Sequence, residues 1–156
     1  MNTTRWCMVL ATSTLVGCCL GGTSPSPPLS LAPGFAPQPT TQSGTTRSLI
    51  VDGATHIGWE CQAWIPSEPQ HVVTITSPMF VRVLANGHGS PTRLVVRYPD
   101  GVYHCSDFPN PSDAAVEGFA GVGRMEVFVG APISGAEFDY TVGFTETPGT
   151  PSSVLP

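Results

Sequence analysis

Cysteines and a loose group of acids carry the reactive chemistry of this chain. Cys7, Cys18 and Cys19 fall near its start, whereas Cys61 and Cys105 stand among strand-like residues. In an oxidising compartment two such cysteines pair, and closing a loop of that length is worth about 4 kcal/mol in the chain-entropy description. Two buried free thiols are the alternative; a zinc site lacks a second ligand pair at finger spacing. Asp107, Asp113 and Glu117 share one loop-rich stretch, and Asp100 joins them across a hairpin. Calcium takes about six to eight oxygen ligands, several of them carboxylates. A weak calcium site is one reading of these four acids. Solvated, turn-forming residues are the other, and we favour it; no other cofactor is expected.

The histidines, His56, His71, His88 and His104, form no H-x-x-x-H or H-E-x-x-H pair, which argues against a catalytic metal. No G-x-S-x-G elbow is present, although a triad is defined by geometry and not by order. We expect no enzyme. Trp59, Trp64 and Phe80 would either stack on a sugar or partner, or cap the core; the position of Glu60-Cys61 between the two tryptophans favours packing.

The elements that must hold these residues are short strands. His71–Thr76 and Met79–Ala85 are β-branched and aromatic, with Ser77-Pro78 between them. Asn86-Gly87-His88-Gly89 breaks the chain, Arg93–Tyr98 resumes it, and Pro99-Asp100-Gly101 turns it into Val102–Cys105 as a hairpin. Met125, Val127 and Val129 alternate onto one face, as do Phe138, Tyr140, Val142 and Phe144. No long stretch has a helical apolar period. We therefore expect an all-β fold, an antiparallel β-sandwich or jelly-roll-like domain of about eight short strands over residues 48–146. Residues 18–47, rich in Pro, Ser, Thr and Gly, are expected to be a disordered tether with a reach of up to about 80 Å. Residues 147–156 are expected to be a disordered tail.

With 156 residues and a formal charge of −5, the chain is one domain in size and mildly acidic. It has no lysine, and its arginines are scattered. That disfavours nucleic acid and anionic lipid surfaces, which need clustered cations.

The segment from Trp6 to Gly17 is too short to span a bilayer, which takes roughly 20 apolar residues. With Arg5 before it, it reads as a signal peptide over residues 1–17. Its end, Leu15-Val16-Gly17-Cys18, resembles the lipobox of bacterial lipoproteins. The resemblance implies diacylglycerol on Cys18 and a lipid-anchored protein in the bacterial envelope. Cys19 in the next position is not an acid, which by the sorting rule of some Gram-negative bacteria points to the outer membrane. Cys19 itself would be a second acylation site, a free thiol or an intermolecular partner.

From Cys61 to Glu146 the chain is similar to the bacterial pre-peptidase C-terminal (PPC) group of β-sandwich modules. The similarity rests on Thr92-Arg93-Leu94-Val95-Val96, Pro99-Asp100-Gly101, Cys105-Ser106-Asp107, Asn110-Pro111 and Val116-Glu117-Gly118. It continues through Gly123–Gly130 and closes on Tyr140–Glu146. Such modules are non-catalytic units for stability, targeting or substrate binding, and their acidic loops often bind calcium. Here Phe108 stands where the loop typically pairs its acids, which argues against calcium. The expected function is a lipid-anchored envelope protein displaying a binding or structural module for protein or glycan. The runner-up is an accessory or inhibitory partner of an exported hydrolase, with an enzyme third.

Overall fold

Strands form here where β-branched and aromatic residues alternate with polar ones, since period-two spacing turns every second side chain to one face. The computed structural model describes residues 28–47, 49–59, 61–106 and 114–156. In chain order the elements are β1 (Leu29–Leu31), β2 (Thr40–Thr46), β3 (Val51–Asp52), α1 (Gly53–His56), β4 (Trp64–Ile65) and β5 (His71–Ile75). There follow β6 (Met79–Asn86), β7 (Arg93–Arg97), β8 (Tyr103–Cys105), β9 (Ala114–Ala120), β10 (Gly123–Gly130) and β11 (Phe138–Thr145). One sheet runs β1-β5-β10-β7-β8 and the other β2-β11-β6-β9, with β3 and β4 as a separate pair. Only β1 and β5, among the described pairs, run parallel. The architecture is the expected all-β sandwich.

The core lies between the two large sheets. From one side come Val73, Ile75, Leu94, Val96, Met125, Val127 and Val129; from the other come Val81, Val83, Val116, Tyr140, Val142 and Phe144. Met125, Val127 and Val129 share the inner face as the alternation requires. Phe128 points the other way, yet it too is buried, beneath a second apolar cluster of Ala63, Ile65 and Val95. The hairpin forms at Pro99-Asp100-Gly101: Gly101 takes φ +85°, and the Asp100 carboxylate accepts the Val102 N–H at 2.9 Å.

The fold extends beyond residues 48–146 at both ends, which corrects the expected tail and the expected tether over residues 28–47; residues 18–27 lie outside the described residues. Leu29 pairs with Val73 and Leu31 with Ile75, and Leu31 is buried. Thr40–Thr46 pairs with Phe138–Phe144 along its whole length. This polar edge strand pairs through its backbone, its Gln42 and Thr46 side chains bond to His71 and to the Val129 carbonyl, and Gly44 leaves room for Tyr140. The prolines at 33, 37 and 39 fall in the bend between β1 and β2, where a missing N–H breaks no ladder. Residues 150–155 are likewise seated on the fold, with a 3-10 turn at Ser152–Val154 and with Ser152 and Leu155 buried, while most of the other residues of 147–156 are exposed. Asp52 caps the one-turn helix α1, accepting the Ala54 N–H.

Both outer faces are roofed. Residues 49–65 cover the five-stranded sheet, and the backbone of Trp64 bonds both ways with Ala131 at the end of β10. Residues 150–155, with the Pro37–Pro39 segment, cover the four-stranded sheet. Gly143 there lies beneath Leu155 and Pro39.

Candidate functional site

The β6–β7 connection builds a shallow cleft at one end of the sandwich. Asn86 Oδ1 accepts the His88 N–H at 3.0 Å, which lets His88 sit at φ +50°, a left-handed conformation that asparagine-type turns stabilise. Ser90 donates its N–H to the Gly87 carbonyl, and Thr92 Oγ1 donates to the Ser90 carbonyl. Gly87 is required, because a Cβ there would lie within 2.9 Å of the Ser90 carbonyl and 3.1 Å of Phe138. His88 Nε2 reaches Thr141 Oγ1 at 3.2 Å, pinning the loop to β11. The resulting cleft of about 360 Å³ is lined by Ala85, Asn86, Gly87, Gly89, Ser90, Pro91, Thr92, Ala114 and Ser152. Its lining presents amide, hydroxyl and small apolar groups, several of them already hydrogen-bonded within the fold.

A chain of polar side chains crosses the core. His71 of β5 meets the Tyr140 hydroxyl of β11 at 2.8 Å through Nε2 and Gln42 Oε1 of β2 at 2.9 Å through Nδ1. With the Gln42 carbonyl oxygen facing it, Nδ1 carries the proton and Nε2 accepts from the Tyr140 O–H. Burial lowers the His71 pKa to about 4 and raises that of Tyr140 well above the ordinary phenol range. Both are neutral near pH 7. With His71 buried, the chain ties the sheets together and offers no base to an external substrate. Its signal in the sequence was a histidine at an inward position of the alternating run His71–Thr76.

Cys61 and Cys105 form a disulfide with Cα atoms 5.4 Å apart. It fastens the roof over the five-stranded sheet to the edge strand β8. Cys18 and Cys19 lie outside the described residues, as do Asp107 and Asp113. The other two acids of the candidate calcium site have protein partners. Asp100 holds its turn, and Glu117 pairs with Arg82 at 2.6 Å. Both act on Tyr98, whose pKa is raised to about 12 by burial first and then by Glu117 and Asp100. The Tyr98 hydroxyl is buried against Gly118 and has no hydrogen-bond partner among the described residues. Among those residues no group of three His, Cys, Asp or Glu side chains is placed to hold a metal ion.

The aromatic residues separate. Trp59 is 81 % exposed, which corrects the expectation that it packs near the disulfide, while Trp64 and Phe80 are half-buried. Phe80 meets the exposed Phe119 edge to face across β6 and β9. His104 is exposed and stands edge-on to the Tyr98 ring at 4.7 Å.

No protein-family model and no curated protein matches the chain. Two solved structures are similar to it. One is the pre-peptidase C-terminal domain of a collagenase from Bacillus anthracis, at 13 % identity and a TM-score of 0.45, covering 80 % of this chain and 100 % of that one. The other is PliG from Aeromonas hydrophila, a periplasmic inhibitor of g-type lysozyme, at 10 % identity and a TM-score of 0.42, covering 76 % of this chain and 96 % of that one. No residue role is carried over from either.

Proposed function

We propose that this chain is a lipid-anchored module of the bacterial envelope that binds a protein or glycan partner and performs no chemistry on it. The observation that carries the reading is the Cys61–Cys105 disulfide inside the fold. Such bonds persist in oxidising, extracytoplasmic compartments and are rare in the cytosol. The Leu15-Val16-Gly17-Cys18 run supports export by the lipoprotein route, and Cys19 in the next position supports the outer membrane. The cleft supports binding, since it is an open concavity lined by amide, hydroxyl and small apolar groups. With β1 beginning at Leu29, a lipid on Cys18 would hold the sandwich within about 35 Å of the bilayer, at about 3.1 Å per residue, not the 80 Å of a longer tether.

Intact-mass analysis of membrane-extracted protein tests the anchor. The expected species starts at Cys18 and carries a diacylglycerol, and Cys18→Ala moves the protein to the soluble fraction. Residues 1–17 retained, or membrane association unchanged in the variant, would refute it.

A further inference from the structure

The outer face of the four-stranded sheet is occupied by this chain's own residues 150–155, in a manner that has the chemistry of peptide recognition. Pro151 (φ −74°, ψ 152°) and Leu155 (φ −74°, ψ 138°) hold polyproline-type angles on either side of the 3-10 turn. From the outer face of β6, Arg82 Nε donates to the Thr150 carbonyl at 2.8 Å and Asn86 Nδ2 to the Leu155 carbonyl at 3.1 Å. The Leu155 side chain, 3 % exposed, lies over Gly143, where any Cβ would collide with it. A glycine notch thus takes a leucine while two side-chain donors take main-chain carbonyls at either end of the segment.

These contacts read two main-chain carbonyls that bracket a 3-10 turn and one aliphatic side chain, and they place little demand on the side chains between. A proline just ahead of the turn suits such a site because its fixed φ leaves less conformational entropy to lose on docking. The segment belongs to neither sheet ladder, and the amides of Val154 and Leu155 turn back onto Pro151 and Ser152. Lifting it out therefore breaks no strand pairing. At Ser152 it borders the open cleft, which extends the surface offered to an incoming chain.

We propose that this face is a docking groove for a turn-forming, proline-containing partner peptide bearing a leucine, and that residues 150–155 are its resident occupant, displaced when the partner binds. The proposal rests on the reading of the chain as a binding module and names the class of its partner. Acylation at Cys18 reports on that reading separately. An acylated protein without groove binding would leave a module that uses another face, while groove binding without acylation would leave the groove and remove the anchor.

The test is fluorescence anisotropy with a labelled synthetic peptide of residues 147–156, titrated into full-length protein with its native tail and into the full-length Leu155→Asp variant. Emptying the seat raises the fraction of competent protein, so the variant should bind the peptide at least about tenfold more tightly. The peptide carrying the same Leu155→Asp change should bind neither protein. Equal affinity for both proteins, or none for the variant, would overturn the proposal. A second readout does not depend on that variant: excess peptide should speed hydrogen exchange at the Val154 and Leu155 amides of the unaltered protein, and unchanged exchange counts against displacement. If sedimentation instead finds a concentration-dependent dimer that Leu155→Asp abolishes, the occupant is the tail of a second copy and the partner-peptide proposal falls.

Discussion

The two outer faces of the sandwich are roofed by segments of unequal length, residues 49–65 and residues 150–155, held in different ways. Residues 49–65 lie over the five-stranded sheet on a small apolar cluster, bonded to β10 through Trp64 and Ala131 and cross-linked to β8 by Cys61–Cys105. Residues 150–155 lie over the four-stranded sheet on Leu155 and on bonds from Arg82 and Asn86 side chains to carbonyls. The first roof is fastened by a covalent bond, the second by side-chain hydrogen bonds and one buried leucine. On the proposed reading the fold is covalently stabilised on one face and keeps an exchangeable surface on the opposite one.

The largest expected effect comes from cutting the covalent roof. Replacing both Cys61 and Cys105 by alanine should cost about 4 kcal/mol, the chain-entropy value for a loop of 44 residues. Urea unfolding measures it, and an unchanged midpoint would mean that the apolar cluster alone holds this roof.

Next in size is an effect common to both faces. His71 joins β5 to β2 and β11, so its titration reports on the contact between the sheets. Its folded pKa of about 4 lies below the ordinary 6.5, so the unfolded chain takes up the proton first as pH falls. Its contribution is therefore present above pH 6.5 and is lost between about 6.5 and 4, to a total of about 3 kcal/mol. His71→Gln should flatten that part of the stability–pH curve. The same slope should persist in the cysteine and Leu155 variants, and its absence from the native chain would deny the cross-sheet role.

Leu155→Ala should cost about 2 kcal/mol, at the low end for a buried leucine because the site lies at the surface of the sheet. The loss should appear as faster exchange at Leu155, with Ala63 and Trp64 unaffected. Opening of both roofs together would erase the contrast between them. Smallest is Trp59→Ala on the covalent roof, which should shift stability by less than about 0.5 kcal/mol because the ring is largely in solvent.

The inner strands were legible because His71–Ile75, Met79–Asn86 and Gly123–Gly130 alternate cleanly and bury one face. The Pro99-Asp100-Gly101 hairpin and the pairing of the two domain cysteines could be read for similarly local reasons. The edge strands could not. Thr40–Thr46 is held by backbone bonds to β11, and its composition is that of a linker. Leu29–Leu31 is short and depends on β5, far along the chain. The tail's seat was hidden for the same reason. Leu155 is an isolated apolar residue among prolines and serines, and its burial follows from Gly143, Asn86 and Arg82, which only the tertiary fold brings together. Of the candidate site, the Asn86–Gly89 break located the loop, but nothing local announced that it would border a groove.

Native-state hydrogen exchange on the oxidised full-length protein addresses the contrast between the roofs most directly. The amides of Gly53, Cys61, Ala63 and Trp64, bonded within or beneath the cross-linked roof, should exchange only with global unfolding. Those of Val154 and Leu155 should exchange through a local opening of lower free energy. Equal protection of the two sets, with both tracking global unfolding, would show that the tail is as fixed as the disulfide-held roof and that no exchangeable face exists.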